Sequence, residues 1–480
     1  MTDVLWTASD AAVATGGETQ ASWLATDVSI DTRSLKPGDL FVALQDVRDG
    51  HDFVPAAFKA GAAAALVSRD VPDAGGPLLI VDDVLSALEA LGIAARARAD
   101  AVRVAVTGSV GKTSVKEMLA QIFRAAGTAH WSVKSFNNHF GVPLTLARMP
   151  QLTARAVFEI GMSTPGEIAP RSRMVRPHCA IITKIAAAHL EGLGSIDGVA
   201  EEKSDIFAGL ELGGAAILPS GDAFLGFLQA RATAAVEDAD ILTFGFEDGA
   251  DARILDYTAE GHEAVVLVDV LGEVVRVRLK AAGEHWALNA AAALLASVSS
   301  AKLSAAEAAE ALSGFTPPEG RGQVEMLTLP TGGTVAMVDD SYNANPTSMR
   351  AALKALAARP AKRRILALGA MGELGDGAER MHADLAEPVA ASGADIVFLG
   401  GAGMAALSTT LPGTIQQHFE VNANDLWTPI KELLRDGDTL LIKGSNASGM
   451  VQLAEALRQW SVDPDQQVME GSATCAAKGM

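Results

Sequence analysis

The chain has 480 residues, enough for roughly three domains of about 150 residues each, and its 49% hydrophobic and 20% charged residues suit a globular protein with large cores. Its 38 basic against 58 acidic residues, net −20, exclude a general nucleic-acid binder, whose phosphate affinity needs a basic surface, yet leave room for anionic small substrates met by local cations and helix N-termini. No basic-then-apolar leader opens the chain, no charge-free apolar run reaches about 18 residues, and Cys179 and Cys475 stand in no metal-type spacing, so a reduced cytoplasmic protein without a membrane span is expected.

Residues 1–99 mix strand-like runs at 40–44, 64–67 and 78–81 with alanine-rich helical runs and close on a helix at 85–99, the pattern of a small α/β domain. A second domain, 100–314, opens on VRVAVTGSVGKTS at 102–114. This apolar β-branched run is broken at Gly108 and Gly111 and ends in Lys112, Thr113 and Ser114. It predicts a buried strand, a glycine loop and a helix start, the arrangement that cradles nucleotide phosphates. Backbone N–H groups from Gly108 through Gly111 converge on phosphate oxygens, Lys112 neutralises β/γ charge, and the Thr113 hydroxyl suits Mg²⁺. Val106 stands where the full phosphate-loop spacing has a glycine, so a purely structural glycine turn remains the alternative at this point.

Apolar runs at 156–160, 180–185 and 214–218, separated by helical patterns, predict a doubly wound, mostly parallel sheet. Runs at 263–270 and 273–279 flank Leu271-Gly272 as a hairpin, and an alanine-rich helix is expected over 287–298. The turn-rich segment 314–321 marks the boundary to a third domain, 315–463. There, strands at 334–339, 364–368, 395–399 and 439–442 alternate with helical patterns in a Rossmann-like α/β unit. Residues 464–480 lack apolar periodicity and are expected to form a flexible tail.

Several residues carry chemistry with two readings each. Glu159, at a strand end, is a solvated carboxylate or a ligand to a divalent ion. His189 is a structural imidazole or a group that holds a metal or a phosphate oxygen. Lys203, among Glu201, Glu202 and Asp205, reads by itself as a solvated helix charge. Asn289, read as opening the alanine-rich helix, is a helix-start residue or a contact to an adenine edge. Arg321 pairs with an acid or reaches a γ-phosphate when domains close. The segment Asp339, Asp340, Ser341, Tyr342, Asn343, Ala344, Asn345, Pro346 follows a strand, where it forms a plain turn or reads ribose and substrate hydroxyls. Lys443 ends a late strand, as a sheet-edge cation or a partner for a carboxylate-bearing substrate.

Taken in order, these motifs resemble the Mur ligase family along nearly the whole chain. They are Ser29 to Leu44, Asp49-Gly-His-Asp-Phe53, Thr107-Gly-Ser-Val-Gly-Lys-Thr113, Asn137-Asn-His-Phe-Gly-Val-Pro143, Glu159, Ala188-His-Leu-Glu-Gly192, Gly283-Glu-His285, Asn289, Gly320-Arg321 and the Asp339 to Pro346 run. The shortened glycine loop is that family's own form. The Asp339 to Pro346 run, with Gly369 to Gly375 and His382, resembles the branch that adds D-alanyl-D-alanine to UDP-N-acetylmuramoyl-tripeptide (UDP-MurNAc-tripeptide) with ATP, through an acyl phosphate, as the last cytoplasmic step of the peptidoglycan precursor.

The resemblance implies three α/β domains, for the uridine substrate, for ATP and Rossmann-like. Asp31, Thr32 and Arg33 mark the uridine pocket. Thr107, Gly108, Ser109, Val110, Gly111, Lys112, Thr113, Ser114, Asn289, Arg321 and Asp340 hold ATP. Asn137, Asn138, Tyr342, Asn343, Asn345 and Lys443 touch substrate. Thr113, Glu159, His189 and Lys203, the last as a carbamate, hold Mg²⁺. Lys112, Lys203, His189 and Arg321 serve catalysis, in a monomer. Lys184, in place of an asparagine, and Asn446, in place of an arginine, depart from the family pattern. The remaining alternatives are a sibling ligase adding a diamino acid to UDP-MurNAc-dipeptide and a non-catalytic nucleotide-binding scaffold.

Overall fold

The computed structural model describes residues 4–133 and 135–461; the segment 464–480, with Cys475, lies outside the described residues. The first sheet with a core of its own is parallel and runs Asp27–Ser29, Asp39–Val42, Ala64–Val67, Leu78–Ile80. Strand alternation sends Leu40 and Val42 toward the helix Val84–Arg98 and Phe41 and Ala43 to the opposite face, against Val54–Lys59. The Asp83 carboxylate starts the long helix by accepting from Ser86 N at 2.8 Å.

The nine-stranded sheet runs edge to edge Glu273–Leu279, Glu263–Val270, Ala252–Glu260, Asp240–Gly245, Ala215–Pro219, Cys179–Ile182, Val102–Thr107, Arg155–Glu159, Ala129–Trp131. All neighbours are parallel except the last two strands in chain order, which are added antiparallel. Their turn places Leu271 at φ 55° and Gly272 at φ 91°, the paired left-handed conformation a two-residue hairpin requires. Val104, Val106 and Ile181 pack under Lys112–Ala125 and Glu284–Ser299, while Ala105, Phe158 and Ile182 face Gly141–Ala147, Ile168–Val175 and Ile196–Ser204. Helices thus cover both faces, as a doubly wound sheet demands.

The six-stranded sheet runs Gln323–Thr328, Thr334–Asp340, Asp438–Lys443, Arg363–Gly369, Ile396–Gly400, Gln416–Glu420, and only its Gln323–Thr328 edge is antiparallel. Met337, Ile365 and Ile442 pack toward Met450–Trp460, and Val338, Leu366 and Leu441 toward Pro346–Ala357. Among the described residues no helix is long and apolar enough to cross a membrane.

Three local expectations change. The alanine-rich helix starts at Glu284, so Asn289 lies in its second turn and is not a helix-start residue. The strand read as 180–185 stops at Ile182, because the next residues leave the sheet to bracket the glycine loop: Thr183 N donates to Thr107 O at 2.9 Å and Lys184 O accepts from Ser109 N at 2.8 Å. Strands at Ala129–Trp131, Asp240–Gly245, Ala252–Glu260, Gln323–Thr328 and Gln416–Glu420 join the expected ones; each is partly exposed and so lacks a continuous apolar run.

Candidate active site

The C-terminal ends of Val102–Thr107, Arg155–Glu159 and Cys179–Ile182 open onto the same cavity as those of Thr334–Asp340 and Asp438–Lys443, the end of a parallel sheet where ligands bind. This cavity encloses ≈ 710 Å³ and is lined by residues of both sheets.

The glycine loop is tight because its neighbours leave no room for side chains. Gly108 (φ 146°) and Gly111 (φ 85°) hold left-handed backbone; a Cβ on Gly108 would collide with Thr183 Oγ1, and one on Gly111 would lie 2.6 Å from Asn289 Oδ1. Asn289 therefore sits against the loop, buried, within the same cavity. The Thr183 hydroxyl donates to Thr107 O at 3.2 Å and also bonds Val110 O, while Ser109 Oγ donates to Ala186 O at 2.9 Å. Lys112 Nζ donates to Gly108 O at 2.6 Å, across the mouth of the loop. Burial lowers the Lys112 pKa, and the nearby Glu159 carboxylate opposes that shift.

Glu159 is not a solvated carboxylate. It is 1% exposed, accepts from Thr113 Oγ1 at 2.8 Å and from Asn137 Nδ2 at 2.7 Å, and its partners are thus a hydroxyl and an amide rather than a cation. A buried anion so placed needs positive charge, and the Glu159–Thr113 pair supplies the hard oxygen donors that suit Mg²⁺. Among the described residues no group of three or more His, Cys, Asp or Glu side chains is arranged to hold a metal.

Lys203 is not a solvated helix charge either. It is fully buried, with Nζ 3.9 Å from Met162 Sδ. Burial and the Lys112 charge hold its amine well below the usual lysine range, against the pull of Glu202. Met162 lines the cavity, and Lys203 stands behind it. His189 lines the cavity on a left-handed backbone (φ 56°), with Nδ1 2.5 Å from Glu373 Oε2.

The third sheet contributes the facing wall. Adjacent acids point to opposite sides of one strand: Asp339 accepts from Ser341 N and Oγ at 3.1 and 2.6 Å and pairs with Arg458, while Asp340 faces the cavity. Lys443 Nζ binds Asp340 Oδ2 at 2.7 Å and Asn343 O at 2.9 Å, so the lysine read as a substrate cation also orients Asp340. Burial pushes the Asp340 carboxyl up, and Lys443 counters it. Arg321, read as pairing with an acid or a phosphate, lays its guanidinium 4.2 Å from the Tyr342 ring centroid and donates to Ser135 Oγ at 2.8 Å. Asn345 caps the helix Pro346–Ala357 through Ser348 and reaches back to Ser109 O at 3.3 Å, tying this wall to the glycine loop.

Asn137, Asn138, Ser114, Tyr342 and Asn343 also line the cavity. Asp31, Thr32 and Arg33 do not: they follow the strand Asp27–Ser29, and Arg33 forms a bidentate pair with Asp31 (Nη2–Oδ2 2.6 Å) at the surface. Of the two departures, Lys184 lines the cavity with Nζ 3.2 Å from the buried Asp222, and exposed Asn446 does not line it. Sequence reasoning missed Thr183, Ser135 and Glu373; Thr183 follows a strand end, the signal that picked out Glu159.

Two family models match the chain, the Mur ligase middle domain over residues 106–297 and the Mur ligase glutamate ligase domain over 320–446. The chain is 36% identical over 454 residues to the UDP-N-acetylmuramoyl-tripeptide--D-alanyl-D-alanine ligase of Escherichia coli K12, covering 92% of this chain and 96% of that protein. The enzyme of the same name from Rickettsia prowazekii is 31% identical, covering 92% and 97%. A crystal structure of MurF from Acinetobacter baumannii superposes with a TM-score of 0.82 at 30% identity, covering 95% of this chain and 99% of that one. The chain belongs to the Mur ligase family.

Proposed function

We propose that the protein is an ATP-dependent amide ligase that joins D-alanyl-D-alanine to UDP-MurNAc-tripeptide in peptidoglycan precursor synthesis. The observation that carries this reading is a single cavity in which the glycine loop with Lys112 faces Arg321, Asp340 and Tyr342 of the third sheet. Full-length likeness to ligases bearing that activity supports the choice of substrates.

The chemistry follows from a poor acyl donor. The terminal carboxylate oxygen of the tripeptide attacks the γ-phosphorus of ATP; the bond to the β,γ-bridging oxygen breaks and ADP leaves. The amine of D-alanyl-D-alanine then attacks the acyl carbon, the C–O bond to phosphate breaks, and the amine gives up a proton as the amide forms. Lys112 and Arg321 bring positive charge to the transferring phosphoryl group. Asn289 and Asp340, which line the cavity, are the proposed adenosine contacts, and the facing walls keep water from the acyl phosphate. Thr113, Glu159 and His189 would hold Mg²⁺, which would neutralise phosphate charge.

Lys203 suits carbamylation because only a neutral amine adds CO₂, and burial holds this amine well below the usual lysine range, favouring that form. Its carbamate would reach the cavity past Met162. Asp31, Thr32 and Arg33 are the proposed uridine contacts on the first sheet. On this reading the protein acts as a monomer, and use of ATP and a nucleotide-linked substrate supports a cytoplasmic site.

ADP release tests the reading. UDP-MurNAc-tripeptide with D-alanyl-D-alanine is expected to support it, and UDP-MurNAc-dipeptide with a diamino acid is not. Release only with the second pair would point to a sibling ligase, and release with neither to a scaffold.

A further inference from the structure

His189 and Glu373 meet across the two large sheets. His189 follows the strand Cys179–Ile182 and starts the short helix Leu190–Leu193, while Glu373 lies in the loop after Arg363–Gly369. The ring Nδ1 of His189 is buried beneath Glu373 Oε2 at 2.5 Å, an ion-pair distance without hydrogen-bond alignment. Both residues carry left-handed backbone, φ 56° and φ 58°, which costs a non-glycine residue on the order of 1 kcal/mol each. Such strain persists only where surrounding contacts impose it.

Those contacts are present. Glu191 N donates to Glu373 O at 3.3 Å. The loop bearing Glu373 is pinned from its own side: Leu374 is buried, and His382 Nε2 accepts from Met371 N at 2.9 Å while its Nδ1 lies 2.7 Å from Ala378 O. The loop backbone that carries Glu373 is therefore held opposite His189, and its half-exposed side chain spans the remaining distance.

We infer that Glu373 is a positioning residue for His189: its carboxylate covers Nδ1 and leaves Nε2 as the nitrogen presented to the cavity. A carboxylate behind a ligating imidazole sets ring orientation and ligand basicity, and its loss typically costs 10- to 100-fold in metal affinity. Because the carboxylate comes from the third sheet and the imidazole from the central one, approach of the two walls completes the ligand. This inference rests on the proposed reading of His189 as a metal ligand.

The test uses Mn²⁺ as the probe, titrated by electron paramagnetic resonance into the full chain saturated with ADP. Glu373→Ala is expected to weaken Mn²⁺ binding about tenfold or more and Glu373→Gln to weaken it less. In a His189→Ala background, Glu373→Ala is expected to add nothing. Wild-type Mn²⁺ affinity in both Glu373 variants, or losses that multiply between Glu373→Ala and His189→Ala, would overturn the inference. Should Glu373→Ala not fold, Glu373→Gln decides the matter. The titration needs no peptide substrate, so its result is separable from failure of the ADP-release assay.

Discussion

Thr113 Oγ1 donates to Glu159 Oε2 at 2.8 Å, joining the first turn of the phosphate-loop helix to the end of the neighbouring parallel strand. The hydroxyl and the carboxylate form one oxygen cluster at the floor of the cavity, with Asn137 closing its other side at 2.7 Å. Glu159→Gln keeps the volume but removes the charge, and is expected to lower kcat by about 100-fold or more while ADP still binds without metal. Thr113→Val removes a donor from a buried carboxylate and is expected to cost about 1–3 kcal/mol of stability in urea unfolding. Wild-type turnover in Glu159→Gln would remove this carboxylate from the metal site.

Lys112 spans the glycine loop by its bond to Gly108 O. Lys112→Ala is expected to abolish phosphate release that depends on both substrates, a loss of roughly 1000-fold, because it removes the cation held on the glycine loop itself, whose place Arg321 on the facing wall does not fill. Steady-state phosphate release near the wild-type rate would show that the loop does not serve the chemistry.

The glycine loop, the strand-end Glu159 and the strands Ala64–Val67, Glu263–Val270 and Glu273–Leu279 were legible in the sequence because each is a local pattern, an apolar run closed by glycine or polar residues. Lys203 was legible only through the family resemblance. Its three acidic neighbours in sequence suggest a solvated charge, and only the fold turns the side chain inward to Met162. Glu373 was illegible as a partner of His189, since 184 positions separate them and their contact exists only between sheets. Asn289 was singled out as a candidate contact but misplaced on its helix, because glycine and glutamate at 283–284 start the helix without a side-chain cap to mark it.

The buried Lys203 amine predicts a dependence on dissolved CO₂. Burial holds that amine well below the usual lysine range, which favours the neutral form that would add CO₂ under the proposed carbamate reading. Activity is expected to fall in degassed buffer and return with bicarbonate. Lys203→Ala is expected to lose most activity and regain part of it with added short carboxylates. Full bicarbonate-independent activity in Lys203→Ala would end the carbamate assignment.

Lys184 and Asp222 are unequal partners. The Asp222 side chain is buried and accepts from Ile185 N at 2.9 Å and Phe224 N at 3.0 Å, so it holds the turn after Ile182 with or without the lysine. Lys184→Asn is expected to change stability by less than about 1 kcal/mol, because the buried Asp222 carboxylate keeps its two backbone N–H donors and the lysine itself is partly solvated. Asp222→Ala leaves a buried N–H unpaired and Lys184 without its counter-ion, and is expected to cost about 2–4 kcal/mol. Comparable losses in urea unfolding for both variants would contradict this ordering.

His130 should make stability fall in acid. Its ring is packed near Phe158, its Nε2 lies 2.6 Å from Thr145 O, and burial lowers its pKa to about 4. The unfolded chain, with a histidine near 6.5, takes up a proton first as pH falls, so the unfolded state binds more protons between about 6.5 and 4. The stability contributed by the neutral ring is complete above 6.5 and is lost as pH falls toward 4, with a limiting slope of about 1.4 kcal/mol per pH unit. His130→Gln keeps a donor for Thr145 O but does not titrate there. Urea unfolding of the two proteins at pH 7, 6 and 5 is expected to converge as the wild type loses stability faster than the variant. Parallel pH dependence in the two would mean that His130 titrates alike in the folded and unfolded states.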